Sequence, residues 1–147
     1  MQGDGMSLEQ DRMKEWFQRV WVDFDLDAVD EMFQQDGQAQ GIMPDMALGS
    51  NDFKDFVPMV QELLDDIAVD MTMMTQTGPW VQALYRVRAL SATNSAPVNA
   101  MGQLCARYEN GLMVEAYNTF DFFSLFEQLG QLPDMSLALC LSGEKLS

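Results

Sequence analysis

The sequence predicts an α+β fold in which helices pack on one face of a curved antiparallel sheet. Three observations carry that expectation. Apolar residues up to Leu64 recur at helical spacing, the stretch from Ile67 to Phe120 reads as four β-like runs, and Asn110-Gly111 joins the last two runs as a hairpin. With 147 residues, 48% of them apolar, the chain suits one domain, 1–147, with a continuous core.

Met13, Trp16, Phe17, Val20, Trp21 and Phe24 follow the i, i+3, i+4 spacing of one helical face, so a first helix is expected from about Ser7, its N-cap, to Val22. A short helix over Asp27–Gln34 follows, capped by Asp27, with Val29, Met32 and Phe33 facing inward. Residues 37–49 read as a short strand and a loop around Pro44. Ser50 or Asn51 caps a third helix whose stripe runs from Phe53 to Leu64, and Pro58 should bend it.

The β-like runs are Ile67–Thr77, Trp80–Ser91, Val98–Glu109 and Leu112–Phe120, separated by Gly78-Pro79, by a polar segment and by Asn110-Gly111. A last helix is expected over Phe122–Leu129, between Asp121 at its N-cap and Gly130 at its stop. The tail 134–147 has no clear pattern.

Charge and missing residue types exclude several function classes. Lys and Arg number 8 against 23 Asp and Glu, and a formal charge of −15 repels nucleic-acid phosphates and anionic lipid headgroups. The chain has no histidine, so acid/base chemistry falls to carboxylates, tyrosines or water. Cys105 and Cys140 form no CxxC unit and are expected to be buried, reduced thiols; no metal or cofactor is expected. Acidic pairs such as Asp65-Asp66 lack the spacing of a calcium loop and read as solvated surface. Neither a signal peptide nor a membrane-length apolar stretch is evident, so a cytoplasmic protein is expected.

Several segments resemble the SnoaL-like polyketide-cyclase family of the NTF2-like superfamily. The run Val20–Phe33 is similar to the end of that family's first helix entering its second. The stretch from Glu109-Asn110-Gly111 through Asp121 to Leu129-Gly130 resembles the family's strand-to-helix ending, with Tyr117 where tryptophan is common. Phe53–Leu64 and Val81–Arg88 resemble its third helix and first long strand, so the likeness covers about residues 16–133. It implies an NTF2-like, cystatin-like cone with N-terminal helices closing over a concave sheet, one pocket, and dimerisation through sheet surfaces. Gln40 and Ser91 stand where many members carry histidine.

Strand alternation groups Met113, Glu115, Tyr117, Thr119 and Asp121 on one face of the last run, and Val114, Ala116, Asn118 and Phe120 on the other. The resemblance implies that the Asp121 face looks into the pocket and that Asp121 is a general acid/base. Enclosed by Trp16, Phe53, Tyr85 and Tyr117, its carboxyl would be poorly hydrated and could remove a proton α to a carbonyl. The simpler alternative makes Asp121 only a helix cap. Glu115 either orients a ligand carbonyl with Tyr117 or pairs with Arg107 or Arg86. Trp16, Phe17, Trp21, Phe53, Phe56 and Tyr85 either fill the core or in part line the ligand site, and Met71, Met73 and Met74 are expected to fill core space.

Two functions are consistent with these residues. One is a cofactor-independent cyclase or isomerase acting on a small carbonyl compound. The other is a non-catalytic protein that binds a small apolar ligand or stabilises a partner, which the missing histidines favour. A homodimer is expected, with Leu84, Leu90 and Leu104 on the covered outer face of the sheet.

Overall fold

A computed structural model describes residues 6–146. Two helices, α1 (Leu8–Trp16) and α2 (Asp27–Met32), flank a π-helical segment, Phe17–Val22. Strands β1 (Phe33–Met43) and β2 (Met46–Leu48) precede α3 (Ser50–Gln61), after which β3 (Leu64–Thr77), β4 (Trp80–Ser91), β5 (Pro97–Glu109) and β6 (Leu112–Phe120) form a meander. Helices α4 (Phe122–Gln128) and α5 (Ser136–Leu141) complete the chain.

The six strands form one sheet in the order β2-β1-β6-β5-β4-β3. All neighbours run antiparallel except β1 and β6, which are parallel, so the sheet is mixed rather than purely antiparallel. The exception follows from connectivity: β1 enters the sheet directly from α2 and pairs with the last strand, not with its successor in the meander. Asn110 and Gly111 both take positive φ, 54° and 80°, which is what a two-residue hairpin between right-twisted strands requires.

Helix α1 begins as its sequence predicts. The Ser7 hydroxyl accepts from the Gln10 N–H at 3.0 Å, and the Gln10 side chain accepts in return from the Ser7 N–H at 3.2 Å. Beyond Trp16 the backbone widens to π geometry, with Asp23 N–H donating to the Gln18 carbonyl five residues back. Other boundaries differ from expectation. Asp27 makes no capping hydrogen bond, and Leu26 occupies the N-cap of α2. Gly49, not Ser50 or Asn51, is the N-cap of α3, whose Asp52 carboxylate accepts from the Gly49 N–H at 2.8 Å. Pro58 is followed by only three residues of α3, consistent with the N–H it removes from the ladder. The expected short strand in residues 37–49 is in fact eleven residues long, Phe33–Met43.

Inward-facing residues alternate cleanly along β4 (Val81, Ala83, Tyr85) and β5 (Val98, Ala100, Leu104, Ala106, Tyr108). They meet Met13, Trp16, Phe17 and Val20 from the N-terminal helix and Phe53 and Val57 from α3 in the main core. A second cluster joins Leu64, Ala89, Val98, Ala100 and Leu125 beneath α4. Three expectations are corrected here. Leu104 is 4% exposed and points inward, so it is no part of an outer surface. Cys140 is exposed, because α5 lies mostly on the surface, and Cys105 is half-buried on the outer face of β5. Met73 is exposed as well, because the register shift between Met71 and Met73 turns it outward. Among the described residues no helix is long and apolar enough to cross a membrane.

Candidate functional site

A β-bulge decides which face of β6 meets the helices. Arg107 pairs with Glu115 but Tyr108 pairs with Met113, so Val114 is an extra residue in β6. Simple alternation fails there: Met113 and Val114 are both buried, and downstream of the bulge Ala116, Asn118 and Phe120 face the helices. Glu115, Tyr117 and Thr119 therefore face outward, opposite to the arrangement expected from the family resemblance.

On the inner side, between the sheet and the helices, lies a cavity of about 50 Å³. Aromatic rings form much of its wall: Phe17 and Trp21 from the π-helical segment, Phe56 from α3, Tyr85 from β4, Phe120 from β6 and Phe122 from α4. Ile42, Val60, Leu64, Ile67, Val69 and Val87 supply aliphatic contacts. Neither a carboxylate nor a basic side chain lines it; the lining residues with polar side-chain atoms are Tyr85, Asn118 and Trp21.

Tyr85 and Asn118 form its polar centre. The Tyr85 hydroxyl donates to Asn118 Oδ1 at 2.9 Å, reaching across β5 between their strands. Gly102, the cross-strand partner of Tyr85, makes that reach possible: a Cβ there would stand 2.8 Å from Tyr85 Cε2 and closer still to the hydroxyl end. Phe17 packs 4.6 Å from the Tyr85 ring, and Phe120 lies parallel to it at 6.2 Å. Burial pushes the Tyr85 phenol well above the ordinary tyrosine range, with the Asn118 hydrogen bond opposing in part. At neutral pH Tyr85 is thus a neutral hydroxyl whose proton is engaged. The pair leaves a ligand the N–H groups of Asn118 and lone pairs on both oxygens.

The residues singled out from sequence fall into three places. Phe17 and Tyr85 line the cavity. Trp16 and Phe53 do not; they are 4% and 3% exposed and pack edge-to-face, 5.3 Å apart, in the core beside Phe33. Glu115, Tyr117 and Asp121 lie on the far side of the sheet or at its end. The Tyr117 hydroxyl donates to Glu115 at 2.5 Å and Arg107 donates to the same carboxylate at 3.0 Å, both contacts holding it below the usual carboxylate range. Trp80 stacks on Tyr117 at 6.3 Å. Asp121 is exposed and accepts from the Ser124 N–H at 3.0 Å, capping α4. Its own N–H donates to the Met101 carbonyl, which fixes the turn from β6 into α4. The expected enclosure of Asp121 by Trp16, Phe53, Tyr85 and Tyr117 is therefore corrected: the first two are core, Tyr85 lines the inner cavity, and Tyr117 is on the opposite face. Gln40 is exposed opposite Tyr117, and Ser91 is buried at the end of β4, where its hydroxyl accepts from the Thr93 N–H.

Of the aromatic set read from sequence, Trp21 and Phe56 also line the cavity, whereas Asn118, Phe120 and Phe122 were missed as cavity residues. A usable signal existed for the β6 pair. The set Val114, Ala116 and Phe120 is the more apolar of the two alternating sets, and hydrophobic patterning alone turns it, with Asn118, toward the helices.

An N-terminal helical layer closing over a curved sheet is the fold of the SnoaL-like and ketosteroid isomerase-like proteins, as the sequence resemblance implied. AclR from Streptomyces galilaeus, a candidate hydroxylase, superposes with a TM-score of 0.77 over 95% of this chain and 92% of its own, at 18% identity. A candidate SnoaL-like polyketide cyclase from Jannaschia sp. CCS1 gives 0.73 over 89% of this chain and all of its own, at 14% identity. A protein of ketosteroid isomerase-like fold from Catenulispora acidiphila, solved in complex with trimethylamine, gives 0.69 over 81% and 92%, at 13% identity. No family model matches the sequence, and no curated protein matches it.

Proposed function

We propose that this chain is a small-ligand-binding protein that holds one compact, largely apolar molecule in the inner cavity, with one polar atom against Tyr85 and Asn118. One observation carries the reading: the residues of the cavity wall are apolar and aromatic apart from the hydrogen-bonded Tyr85–Asn118 pair. A carboxylate-driven cyclisation is the weaker reading, because Asp121 stands outside that wall and caps a helix. Trimethylamine, the ligand of one protein of the same fold, has four non-hydrogen atoms, which suits a cavity of this scale. The homodimer remains a proposal, resting on Leu84, Leu90 and the exposed Met73, Met101 and Tyr117 of the outer sheet face.

The test is a thermal-shift screen of ketones, alcohols and amines of about four to seven non-hydrogen atoms, a size range set by the space one water-sized group occupies. It is run on the natural chain, Asn118→Leu and Asp121→Asn. Hits should be lost in Asn118→Leu and kept in Asp121→Asn; the reverse pattern would return the site to the Asp121 face.

A further inference from the structure

The six rings around the cavity form a chain of contacts. Trp21 meets Phe56 edge-on at 5.9 Å, Phe56 meets Phe122 edge-on at 6.1 Å, and Phe122 meets Phe120 at 4.8 Å. Phe120 lies parallel to Tyr85 at 6.2 Å, and Tyr85 packs on Phe17 at 4.6 Å. Phe17 and Trp21, at the two ends of this chain of rings, are carried four residues apart on the π-helical segment. Interiors ordinarily stack such rings against one another with no space between; here all six border a common cavity.

Resting on the reading of this cavity as the ligand site, we propose that it is an aromatic cage for an alkylated ammonium group, tertiary or quaternary. Ring faces present negative quadrupole charge, and a cation bounded by several of them is attracted to each. No lysine or arginine lines the cavity: Arg86 and Arg88, next in sequence to Tyr85 and Val87, are engaged by Asn99 and Asp70, and Arg19, between Phe17 and Trp21, is engaged by Glu15, Asp25 and Glu31. The chain's charge of −15 raises the concentration of cations at its surface.

The chemistry of the wall narrows the cation further. With no carboxylate in the cavity, a bare metal ion or a primary ammonium would lose its hydration without an ionic partner. Alkyl groups on nitrogen spread the charge and reduce that loss, and they fill an apolar wall. A cavity of about 50 Å³ accommodates a headgroup of this kind, not a multi-ring skeleton. The lone pairs of Tyr85 Oη and Asn118 Oδ1 can accept the single N–H of a tertiary ammonium.

Calorimetric titration with choline and with 3,3-dimethyl-1-butanol, its uncharged isostere of the same shape, tests the cage without any mutation. Choline should bind at least roughly tenfold more tightly, the scale expected when a desolvated cation meets several rings. Phe56→Leu, which keeps an apolar wall but removes one ring, should weaken choline by several-fold and leave the alcohol unchanged, with an unaltered melting temperature showing that the variant is folded. Equal affinities for the two compounds would overturn the cage while leaving the cavity as a ligand site. Absence of choline binding would also overturn it, and hits among neutral ketones in the thermal-shift screen would then still support the site.

Discussion

Replacing Gly102 with alanine places a Cβ 2.8 Å from Tyr85 Cε2, closer again to Cζ and the hydroxyl, where no real Cβ sits. The end of a side chain can often swing away from such a contact, but Tyr85 is 3% exposed, wedged between Phe17 and Phe120, and tied to Asn118. Overpacking of this kind costs about 1–3 kcal/mol. Relieving the chain entropy of a strand glycine returns about 0.5–1 kcal/mol. The net loss should be about 1–2 kcal/mol, seen as a fall of roughly 3–6 °C in melting temperature for a chain of this length. Urea denaturation of Gly102→Ala, alone and in a Tyr85→Ala background, measures it. If the strain passes through the tyrosine ring, Gly102→Ala should be neutral or mildly stabilising once the ring is gone. An equal loss in both backgrounds, or none in either, would refute the claim that Gly102 exists to let Tyr85 cross the sheet.

Tyr85→Phe should cost about 1–3 kcal/mol by stranding the half-buried Asn118 amide, measurable by the same denaturation. Burial raises both Tyr85 and Tyr108 in the folded state, so each contributes stability that is intact below the ordinary tyrosine value of about 10 and lost as pH rises above it; Tyr85→Phe should flatten that alkaline decline. Asp121→Asn should leave stability and cavity binding unchanged, whereas Asp121→Ala should lose about 1 kcal/mol with its cap and still bind, as paired melts and titrations would show. Trp16→Ala should cost about 3–5 kcal/mol as a core truncation, whereas Trp21→Leu should affect ligand affinity more than the melt. Light scattering at micromolar concentration should give twice the monomer mass; a monomer would remove the dimer proposal.

What could be read from the sequence was local, and what could not was set by pairing between distant strands. Ser7 as a cap, the four meander strands, the Asn110-Gly111 hairpin and Asp121 as the cap of α4 each depend on a few adjacent residues. Strand β1 was under-read because Gln34-Gln35-Asp36-Gly37-Gln38 offers few apolar residues; its place beside β6 comes from the sheet, not from its own propensity. The bulge at Val114 was invisible for a related reason. A bulge is a mismatch in count between two strands, and β6 alone carries no mark of it. That single extra residue moves Met113 to the helix-facing side with Asn118, while Glu115 and Tyr117 face away. The family likeness located the right strand and helix but implied the wrong side for their polar residues. Trp16 and Trp21 were drawn from one helical stripe, yet one is sealed in the core and the other borders the cavity.

The three tryptophans report on three environments: Trp16 in the core, Trp21 on the cavity and Trp80 on the outer face. A ¹H–¹⁵N spectrum titrated with choline therefore tests the location of the site most directly. The account predicts that the Trp21 indole and the Asn118 side-chain amide move together along one saturating isotherm while Trp80 and the amide of Gln103, exposed on the outer face of β5 near Tyr117, stay fixed. Movement of Trp80, Gln103 and the Asp121 amide with a stationary Trp21 would place the ligand on the opposite face and contradict it.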